Sequence, residues 1–411
     1  MANTFNTNKN APGIIAKAAA QMFKDSLHFG KSISKAPADD YKGKNGYSAG
    51  DTILISKPAR TVPGSSFDIT SAIQDTVEEK VPLTLDVIST IGLAADTPDF
   101  AHEIDIARYV ERVVRPAVND MVHDVESKFL NRATLATYNH VGIPGQNAFT
   151  TDDVLKGREK LGKFLCPADD NRYFLHDSTA GRKAVGERAG LFQQSDEIGK
   201  QYKMGYVGRA DGFNWMESEM LVTHTNGTDV TGVEVNATLS SQGVSAIVFK
   251  GVTNPGGTFT KGQVFTIGGV YAVHPITKEK RPFLQQFVVT EDVGTEAAAT
   301  RTVNFAPAIY TTGGRKNVDA FPQADAEVTF VGSAGASHTQ NLQYHKDAFR
   351  MVSVPLIMPK KAEFAAQETV DGYTVAIVRD WDQLTRRMVT RLDFLGGIAS
   401  VRPEWAVRVT D

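Results

Sequence analysis

Hydrophobic residues in the middle of the chain, from about Val222 to Gln340, occur in short alternating runs separated by Gly, Thr and Asn turns. The runs show no helical period, and their alternation predicts strands. Six strands are predicted, near Val233–Leu239, Ala246–Val252, Gln263–Val273, Gln286–Thr290, Thr302–Tyr310 and Glu327–Val331. This number of short strands favours a small barrel or sandwich. Because long helical patterns flank the region, we predict a β domain inserted into a different, α/β chain.

Two β runs nearer the N-terminus face each other across a long polar tip. The first is Thr52–Ser56, and the second alternates apolar and polar residues from Val81 to Val87. Such alternation indicates one buried face, yet a two-stranded ribbon alone is only marginally stable in water. We therefore expect the ribbon to be an extended arm that lies on another molecule.

Helical patterns lie on both sides of the ribbon. Ile14–Leu27 predicts an amphipathic helix, which is either packed on its own chain or a mobile arm for a neighbouring subunit. Thr97–Pro98 is a helix-start signature, and Pro116 is expected to break or kink that helix. A second long helix should run from Val118 to about Tyr138.

The remaining chain is predicted as α/β, ending in an antiparallel hairpin. The predicted elements are a helix ending at Phe164 and capped by Asp152 or Asp153, a strand at Arg172–His176, a helix from Ser178, paired strands in Gly205–Ser218 with a turn at Asp211–Gly212, and long strands at Tyr373–Trp381 and Met388–Ile398.

Length and composition indicate a folded protein of several domains. The chain has 411 residues, of which 41% are hydrophobic and 22% are charged. Its 44 Lys and Arg against 47 Asp and Glu give a formal charge of −3, so no global charge favours coating nucleic acid or membrane. The single cysteine, Cys166, excludes an internal disulfide framework. With no signal peptide or membrane-spanning run, we expect synthesis and folding in the cytoplasm.

No segment carries a complete catalytic or metal-binding motif. Gly30-Lys31-Ser32 lacks the first glycine of a phosphate-binding loop, and Ile106 stands where His102-Glu103 would need a second zinc-binding histidine. His176-Asp177-Ser178 are adjacent and cannot face one another as a triad does. We predict no catalytic, cofactor-binding or metal-binding residues, no cofactor, and no enzyme activity. An alternative class that remains open is an enzyme or carbohydrate-binding protein with a β accessory domain.

Three segments carry a family resemblance. Asp347–Pro355, Arg391–Glu404 and, within the middle region, Thr260–Val270 resemble tailed-phage major capsid (coat) proteins. The similarity is greatest to the Salmonella phage P-twenty-two type, which has an inserted β domain. The resemblance implies an α+β chain with the Hong Kong 97-like (Johnson) capsid fold and a six-stranded type of inserted β-barrel.

The resemblance also implies a domain order and a set of partners. The domains would be an N-terminal arm at 1–46, an E-loop ribbon at 47–92, a P-domain spine helix region at 93–150, an A domain beginning at 151–221, the inserted barrel at 222–341, and a C-terminal A/P part at 342–411. Copies would form hexamers and pentamers in an icosahedral procapsid, built with a scaffolding protein and a portal ring in the host bacterial cytoplasm. The mature virion capsid would enclose double-stranded DNA without sequence-specific binding. The alternative within the same virus is a minor virion protein of the tail or decoration type.

Charged residues on two projecting segments are the candidate contacts between subunits. Those on the ribbon are Lys57, Arg60, Glu78 and Glu79, and those on the charged loop at Gly313–Gln323 are Arg315, Lys316 and Asp319. We predict that the loop pairs with a neighbour across a local two-fold axis. Because an exposed ion pair contributes only about 0–1 kcal/mol, these residues would set register more than drive assembly.

Overall fold

A computed structural model of the protein describes residues 11–36, 47–57, 73, 79–95, 114–145, 150–188, 208–253, 256–294, 300–359, 362, 364–384 and 387–410. The chain divides into two compact units. The first contains Met1–Ile55, Lys80–Leu130 and Arg350–Ala399, and the second contains Ser56–Glu79, Asn131–Phe349 and Ser400–Asp411. Each unit is therefore built from stretches that are far apart in sequence.

The described residues form a mixed α+β chain. The helices are α1 (Ala11–Ser26), α2 (Phe29–Ser32), α3 (Arg115–Ala136), α4 (Thr151–Lys163) and α5 (Ser178–Arg188). The strands are β1 (Ser34–Lys35), β2 (Thr52–Lys57), β3 (Glu79–Thr84), β4 (Val87–Ala95), β5 (His140–Val141), β6 (Arg172–His176), β7 (Arg209–Ala210), β8 (Phe213–Glu217), β9 (Thr223–Thr225), β10 (Glu234–Val235), β11 (Val244–Lys250), β12 (Val264–Val273), β13 (Lys280–Val289), β14 (Thr300–Ile309), β15 (Val328–Phe330), β16 (Ser337–Thr339), β17 (Asn341–His345), β18 (Phe349–Ser353), β19 (Phe364–Val370), β20 (Tyr373–Asp382), β21 (Arg387–Ser400) and β22 (Ala406–Val409). None of the helices in these ranges is both long and apolar enough to cross a lipid bilayer.

The first unit is organised around the long strand β21. The sheet order is β1–β18–β21–β20–β19, and β4 also pairs with β21, from Met388 opposite Ala95 to Gly396 opposite Val87. Helix α1 packs on β19 and β20 through small residues and Phe23, whose ring stacks on Phe394 at a centroid distance of 4.8 Å. The N-terminal helix is therefore fixed by apolar contacts within its own unit.

A buried carboxylate holds the start of α2 in the same unit. Glu126 on α3 accepts hydrogen bonds from the backbone N–H groups of Phe29 at 2.5 Å and His28 at 3.0 Å. These are N–H groups that a helix start leaves without an intrahelical partner. Burial raises the pKa of Glu126, and the hydrogen bond from Phe29 partly opposes that increase.

One sheet of the second unit is mixed and has helices packed on it. Its order is β5–β22–β17–β6–β8–β7, with β6 and β8 parallel and β17 antiparallel to both of its neighbours. Helix α4 contributes Val154 and Leu161 to a core with Phe174, Trp215 and Val407. This layer, called the α/β sheet below, has its own apolar core.

The other large sheet of the second unit is nearly closed. Its order is β10–β11–β14–β13–β12–β15. The first and last strands approach each other through a bridge between Glu234 and Glu327, and Val235 N–H donates to Ala326 O at 3.0 Å. Inside lies an aromatic core in which the Phe249 and Phe265 rings meet at right angles, 5.5 Å apart. This layer is called the six-stranded sheet below.

The segments that lead into and out of the six-stranded sheet pair with each other. Strands β9 and β16 form a two-stranded antiparallel sheet, with Thr225 opposite Ser337 and His224 opposite His338. The segment that holds the six strands therefore begins and ends at points that are close together in space.

Several elements differ from their sequence predictions. The alternating run from Val81 divides, because the second strand of the ribbon ends at Thr84 and β4 starts a new partnership at Val87. Helix α3 begins at Arg115 with Pro116 in its first turn, where a missing N–H costs no hydrogen bond. Helix α4 is capped by Thr150, whose N–H and hydroxyl bond to the Asp153 carboxylate, and Asp152 has no part in the cap. The helix predicted after Thr97 lies outside the described residues.

Candidate assembly surfaces

A cleft in the second unit gathers four of the seven residues that the sequence marked as contact candidates. It has a volume of about 420 Å³ and is lined by Lys57 and Glu79 from the ribbon and by Arg315 and Lys316 from the loop after β14. Arg60 and Glu78 lie outside the described residues. The cleft also contains residues that the sequence did not single out, among them Phe164, Leu165, Ile276, Tyr310, Arg402 and Trp405.

The charge of this cleft is mainly positive. Four cationic side chains line it against two carboxylates, Glu79 and Glu404. Glu79 already faces Lys57, with 3.6 Å between the carboxylate oxygen and the amine nitrogen. Arg402 lies over the Trp405 ring at 4.2 Å, and Arg315 lies over the Tyr310 ring at 5.8 Å. Among the described residues, neither arginine has a carboxylate within ion-pair distance. We call this surface the basic cleft.

Hydrogen bonds hold the backbone of the loop that carries Arg315 and Lys316. Lys278 Nζ donates to the carbonyl oxygens of Gly314 at 2.7 Å and Lys316 at 3.3 Å. The Asn317 side chain accepts from Tyr310 N–H at 2.9 Å and donates to Ala308 O at 2.7 Å. These bonds fix the backbone of the loop that carries the two cations.

Asp319, the third candidate on this loop, is satisfied within the chain. Its carboxylate accepts from Tyr271 N–H at 2.8 Å and forms an ion pair with Lys280 at 3.0 Å. Burial opposes ionisation, but the Tyr271 hydrogen bond and the Lys280 charge outweigh it and hold the Asp319 pKa below its usual value. Asp319 therefore supports the loop, and Arg315 and Lys316 remain the available charges.

A second charged arrangement joins the six-stranded sheet to the α/β sheet. Arg408 on β22 is 1% exposed and donates to Thr137 O at 2.7 Å and to Gly262 O at 2.8 Å. Gly262 precedes β12 and has φ of +91°, and a Cβ there would collide with Leu135. A buried arginine thus bridges two backbone segments without a carboxylate between them.

Gln286 and Lys160 extend this arrangement around His140. The Gln286 amide behaves like a strand neighbour, accepting from His140 N–H at 2.8 Å and donating to His140 O at 3.2 Å. Lys160 on α4 donates to His140 O at 3.1 Å and also to the Gln286 side-chain oxygen. The His140 ring nitrogen Nε2 lies 2.9 Å from the Thr410 hydroxyl.

Two further histidines complete this arrangement, which we call the polar seam. His224 Nε2 lies 3.0 Å from Lys261 O, and the His224 and His338 rings are 6.0 Å apart. The polar seam consists of His140, Lys160, His224, Gln286, His338 and Arg408. Burial, reinforced by the Arg408 charge, lowers the pKa of His224 to about 4 and that of His140 well below its usual value. Burial likewise lowers the pKa of Lys160 to about 7 and that of Arg408 to about 9.

The near-triad in the sequence is a structural feature of the α/β sheet. His176 Nδ1 lies 2.8 Å from the backbone oxygen of Asp177, and its ring packs against Trp215 with a centroid distance of 5.2 Å. The Asp177 carboxylate accepts from Ala180 N–H at 2.8 Å at the start of α5. Within the described part of the chain, no three His, Cys, Asp or Glu side chains are grouped as metal ligands would be.

A protein-family model matches nearly the whole chain. The family model described as P22 coat protein, gene protein 5, matches residues 6–409. No curated protein matches the chain.

Solved structures give weaker similarities. A structure from Mycobacterium phage Che8 is 12% identical, covers 93% of this chain and 90% of its own, and has a TM-score of 0.42. The capsid of cyanophage P-SCSP1u is 11% identical, with coverage of 93% and 88% and a TM-score of 0.43. The CUS-3 coat protein I-domain is 23% identical over 25% of this chain and 96% of its own, with a TM-score of 0.18.

Proposed function

The chain belongs to the P22 coat protein family over nearly its whole length, and we propose how its parts serve the role of that family. It is a major capsid protein that assembles into a shell. Family membership carries the conclusion. The proposal is that copies form an icosahedral procapsid, which later matures around double-stranded DNA.

The Hong Kong 97-like fold is the architecture proposed for the subunit. The order of elements supports it: an N-terminal helix, a two-stranded ribbon, the long helix α3, an α/β sheet and the long hairpin of β20 and β21. The nearly closed six-stranded sheet supports an inserted barrel domain at about 222–341. Its closure would remove the open strand edges that invite unwanted pairing with other chains.

The ribbon is proposed to serve as an arm that contacts a neighbouring copy. Strands β2 and β3 form a sheet of only two strands, and the exposed side chains of Leu54 and Ile73 belong to this region. A ribbon this narrow gains stability when its apolar face is covered. Many modest contacts of this kind per subunit would allow errors in the shell to dissolve before it closes.

The basic cleft is proposed as a second contact surface between copies. Arg315, Lys316 and Arg402 lie beside the half-exposed side chains of Leu165 and Ile276. A carboxylate-bearing segment of a neighbour would neutralise the cations and cover these apolar groups. Charge complementarity of this kind sets register and partner choice more than total affinity.

Partners other than the coat itself are also proposed. A scaffolding protein and a portal ring would act during assembly in the bacterial cytoplasm, with the finished protein in the virion capsid. The formal charge of −3 supports an inner surface that encloses DNA without gripping it. We propose no chemical reaction for this chain.

Electron microscopy of the expressed protein tests shell formation directly. Closed or spiral particles are expected after expression with or without a scaffold. A small monomer that persists at high concentration, with a stable fold and no particles, would contradict the shell proposal.

Charge reversal tests the basic cleft separately. The double variant Arg315→Glu with Lys316→Glu should keep the circular dichroism and unfolding profile of the parent monomer but lose most particle yield. The matched control, Arg182→Glu with Lys346→Glu, makes the same charge change at exposed positions outside the cleft and should assemble normally. Equal particle yields from the two double variants would refute the cleft as a contact surface.

A further inference from the structure

The contact between the two sheets of the second unit differs chemically from the interiors on either side of it. The six-stranded sheet encloses phenylalanine and branched aliphatic residues, and the α/β sheet has a separate core around Phe174 and Trp215. Between them lie the small hydrophobic cluster of Tyr138, Val264 and Val288 and the ring contact of Phe164 with Phe283, whose centroids are 6.4 Å apart. Hydrogen bonds of the polar seam also cross this junction, from Gln286 to His140 and from Arg408 to Gly262 O. Separating the sheets would therefore expose little apolar surface compared with opening either core.

Groups that are or can become positive face one another across the seam from several elements. His140 on β5 is reached by the charges of Arg408 on β22, Lys160 on α4, His338 on β16 and His224 on β9. His224 is reached by Arg408 and His338, with Asp292 as an opposing negative charge. His140, His224 and Arg408 are all at most 6% exposed. Adding protons here places like charges together in a site with little water.

We propose that the polar seam is an acid-sensitive joint, which separates the six-stranded sheet from the α/β sheet when its histidines become protonated while each sheet keeps its own fold. The inference concerns the folded subunit and does not depend on how copies contact each other. It assigns a role to buried groups that neither the ribbon nor the basic cleft uses.

The direction of the pH effect follows from the histidine pKa values. In the closed joint, the pKa of His224 is about 4, against an ordinary value of 6.5. Above the ordinary value both states hold neutral His224, so the contribution of His224 to the stability of the closed joint is fully present. As the pH falls from 6.5 towards 4, the open state takes up a proton that the closed state refuses, so stability is lost. At about pH 5, His224 alone would favour opening by roughly 30-fold, and His140 would add to this in the same direction.

Thiol accessibility can separate joint opening from unfolding. Val264→Cys places a thiol in the small cluster at the seam, where Val264 is 3% exposed. Val303→Cys places one inside the six-stranded sheet, and the native Cys166 reports on the α/β core. Because reaction of a buried thiol follows the population of the opened state, the rate measures each opening separately.

The experiment compares the full-length monomer at about pH 7.5 and about pH 5, using 4,4′-dithiodipyridine as the probe and correcting each rate with a small free thiol. The introduced thiol at position 264 should react at least roughly 30-fold faster at the lower pH, and the other two should change little. Equal protection of the seam thiol at both pH values would overturn the proposal. Simultaneous exposure of all three thiols would also overturn it, because that result means global unfolding.

Histidine replacement then tests the cause. His224→Gln with His140→Gln, combined with Val264→Cys, should reduce the acid response to a few-fold, since neither amide takes up a proton in this range. The matched control His274→Gln changes a histidine outside the polar seam, whose ring Nδ1 accepts from the Ile276 and Thr277 N–H groups, and it should leave the response intact. An unchanged acid response in the double replacement would refute a histidine origin. If that variant fails to fold, the three-thiol comparison in the cysteine variants that keep both histidines still decides the proposal.

Discussion

The interior of the six-stranded sheet and the polar seam beside it are both buried, but they are held together by different forces. Phe249, Phe265 and Phe287 interlock with centroid distances between 5.5 and 5.7 Å, and their packing depends on shape. The seam depends on Arg408 and His140, whose bonds depend on protonation and on a few carbonyl acceptors. Aromatic packing fills the interior of the six-stranded sheet, whereas hydrogen bonds contribute to the junction beside it. Two sheets of one compact unit can thus be in contact and keep separate apolar cores.

Removing an aromatic ring from the inserted core should have the largest effect. Phe265→Ala deletes a fully buried side chain that contacts at least four other phenylalanine rings. We expect a loss of about 3–5 kcal/mol in the free energy of unfolding, measured by urea denaturation of the monomer. Ile276→Ala, at a position 49% exposed, is the control and should cost much less. Similar losses for the two variants would mean that the core is not tightly packed.

Removing the Arg408 guanidinium from the polar seam should reduce the free energy of unfolding by less than Phe265→Ala does. Arg408→Met keeps much of the side-chain volume but leaves Thr137 O and Gly262 O without their donors. We expect a loss of about 2–3 kcal/mol, because unsatisfied buried acceptors carry a desolvation cost that the removal of a buried charge partly offsets. The measurement is urea denaturation, with the exposed Arg182→Met as the matched control. A more stable Arg408→Met variant would show that the buried charge costs more than its bonds return.

Glu126 offers a pair of substitutions that separates a buried hydrogen bond from a buried charge. Glu126→Gln keeps an acceptor for the Phe29 and His28 N–H groups and should change stability by less than about 1 kcal/mol at neutral pH. Glu126→Ala loses the acceptor and should cost about 1–3 kcal/mol.

The pH profile of the same variants provides the check on sign. Because the Glu126 pKa is raised in the folded chain, the parent protein gains stability as the pH falls through that pKa towards the ordinary value of 4.5. Glu126→Gln should lack this gain, as judged by the difference between thermal unfolding curves of the two proteins recorded across acidic pH. If the parent protein instead loses stability relative to Glu126→Gln as the pH falls, the hydrogen bonds stabilise the Glu126 carboxylate more than burial penalises it.

The smallest effect is expected at the ribbon. The Lys57–Glu79 pair is 3.6 Å long, and Glu79 is 45% exposed. Exchanging the two charges, as Lys57→Glu with Glu79→Lys, should change the stability of the monomer by less than about 1 kcal/mol. If the pair contacts a neighbouring copy, particle yield should fall even though the monomer is unaffected. A large loss of monomer stability would instead mean that the Lys57–Glu79 pair stabilises the fold of the subunit itself.

Elements with a strong period were predictable from sequence. Helix α1, five of the six strands of the middle region and the turn at Asp211–Gly212 overlap their predicted positions, because each depends on local periodicity or on residues that tolerate positive φ. Strand β10 covers only Glu234–Val235 of the predicted Val233–Leu239. Strand β13 begins at Lys280, earlier than predicted, since its first residues are charged and include Pro282. Strand β17 is central to the α/β sheet but was missed, because a strand of five residues buried on both faces shows no alternation.

The surfaces could be predicted only in part. Arg315 and Lys316 were recognisable as charges on a loop between strands, but their convergence with Arg402 required the fold. The seam could not be predicted, because His140, Gln286 and Arg408 are far apart in sequence and ordinary in local context. They are close to one another only in the folded chain, so no short sequence motif indicates them.

The pairing of β9 with β16 makes the inserted sheet interchangeable in principle. Adjacent antiparallel strands lie about 5 Å apart, so a tight turn of a few residues could join Thr225 to Ser337 and close the host chain without the insert. The same spacing would accept any other compact module whose ends lie side by side. Either replacement would leave the backbone on the two sides of the six-stranded sheet continuous.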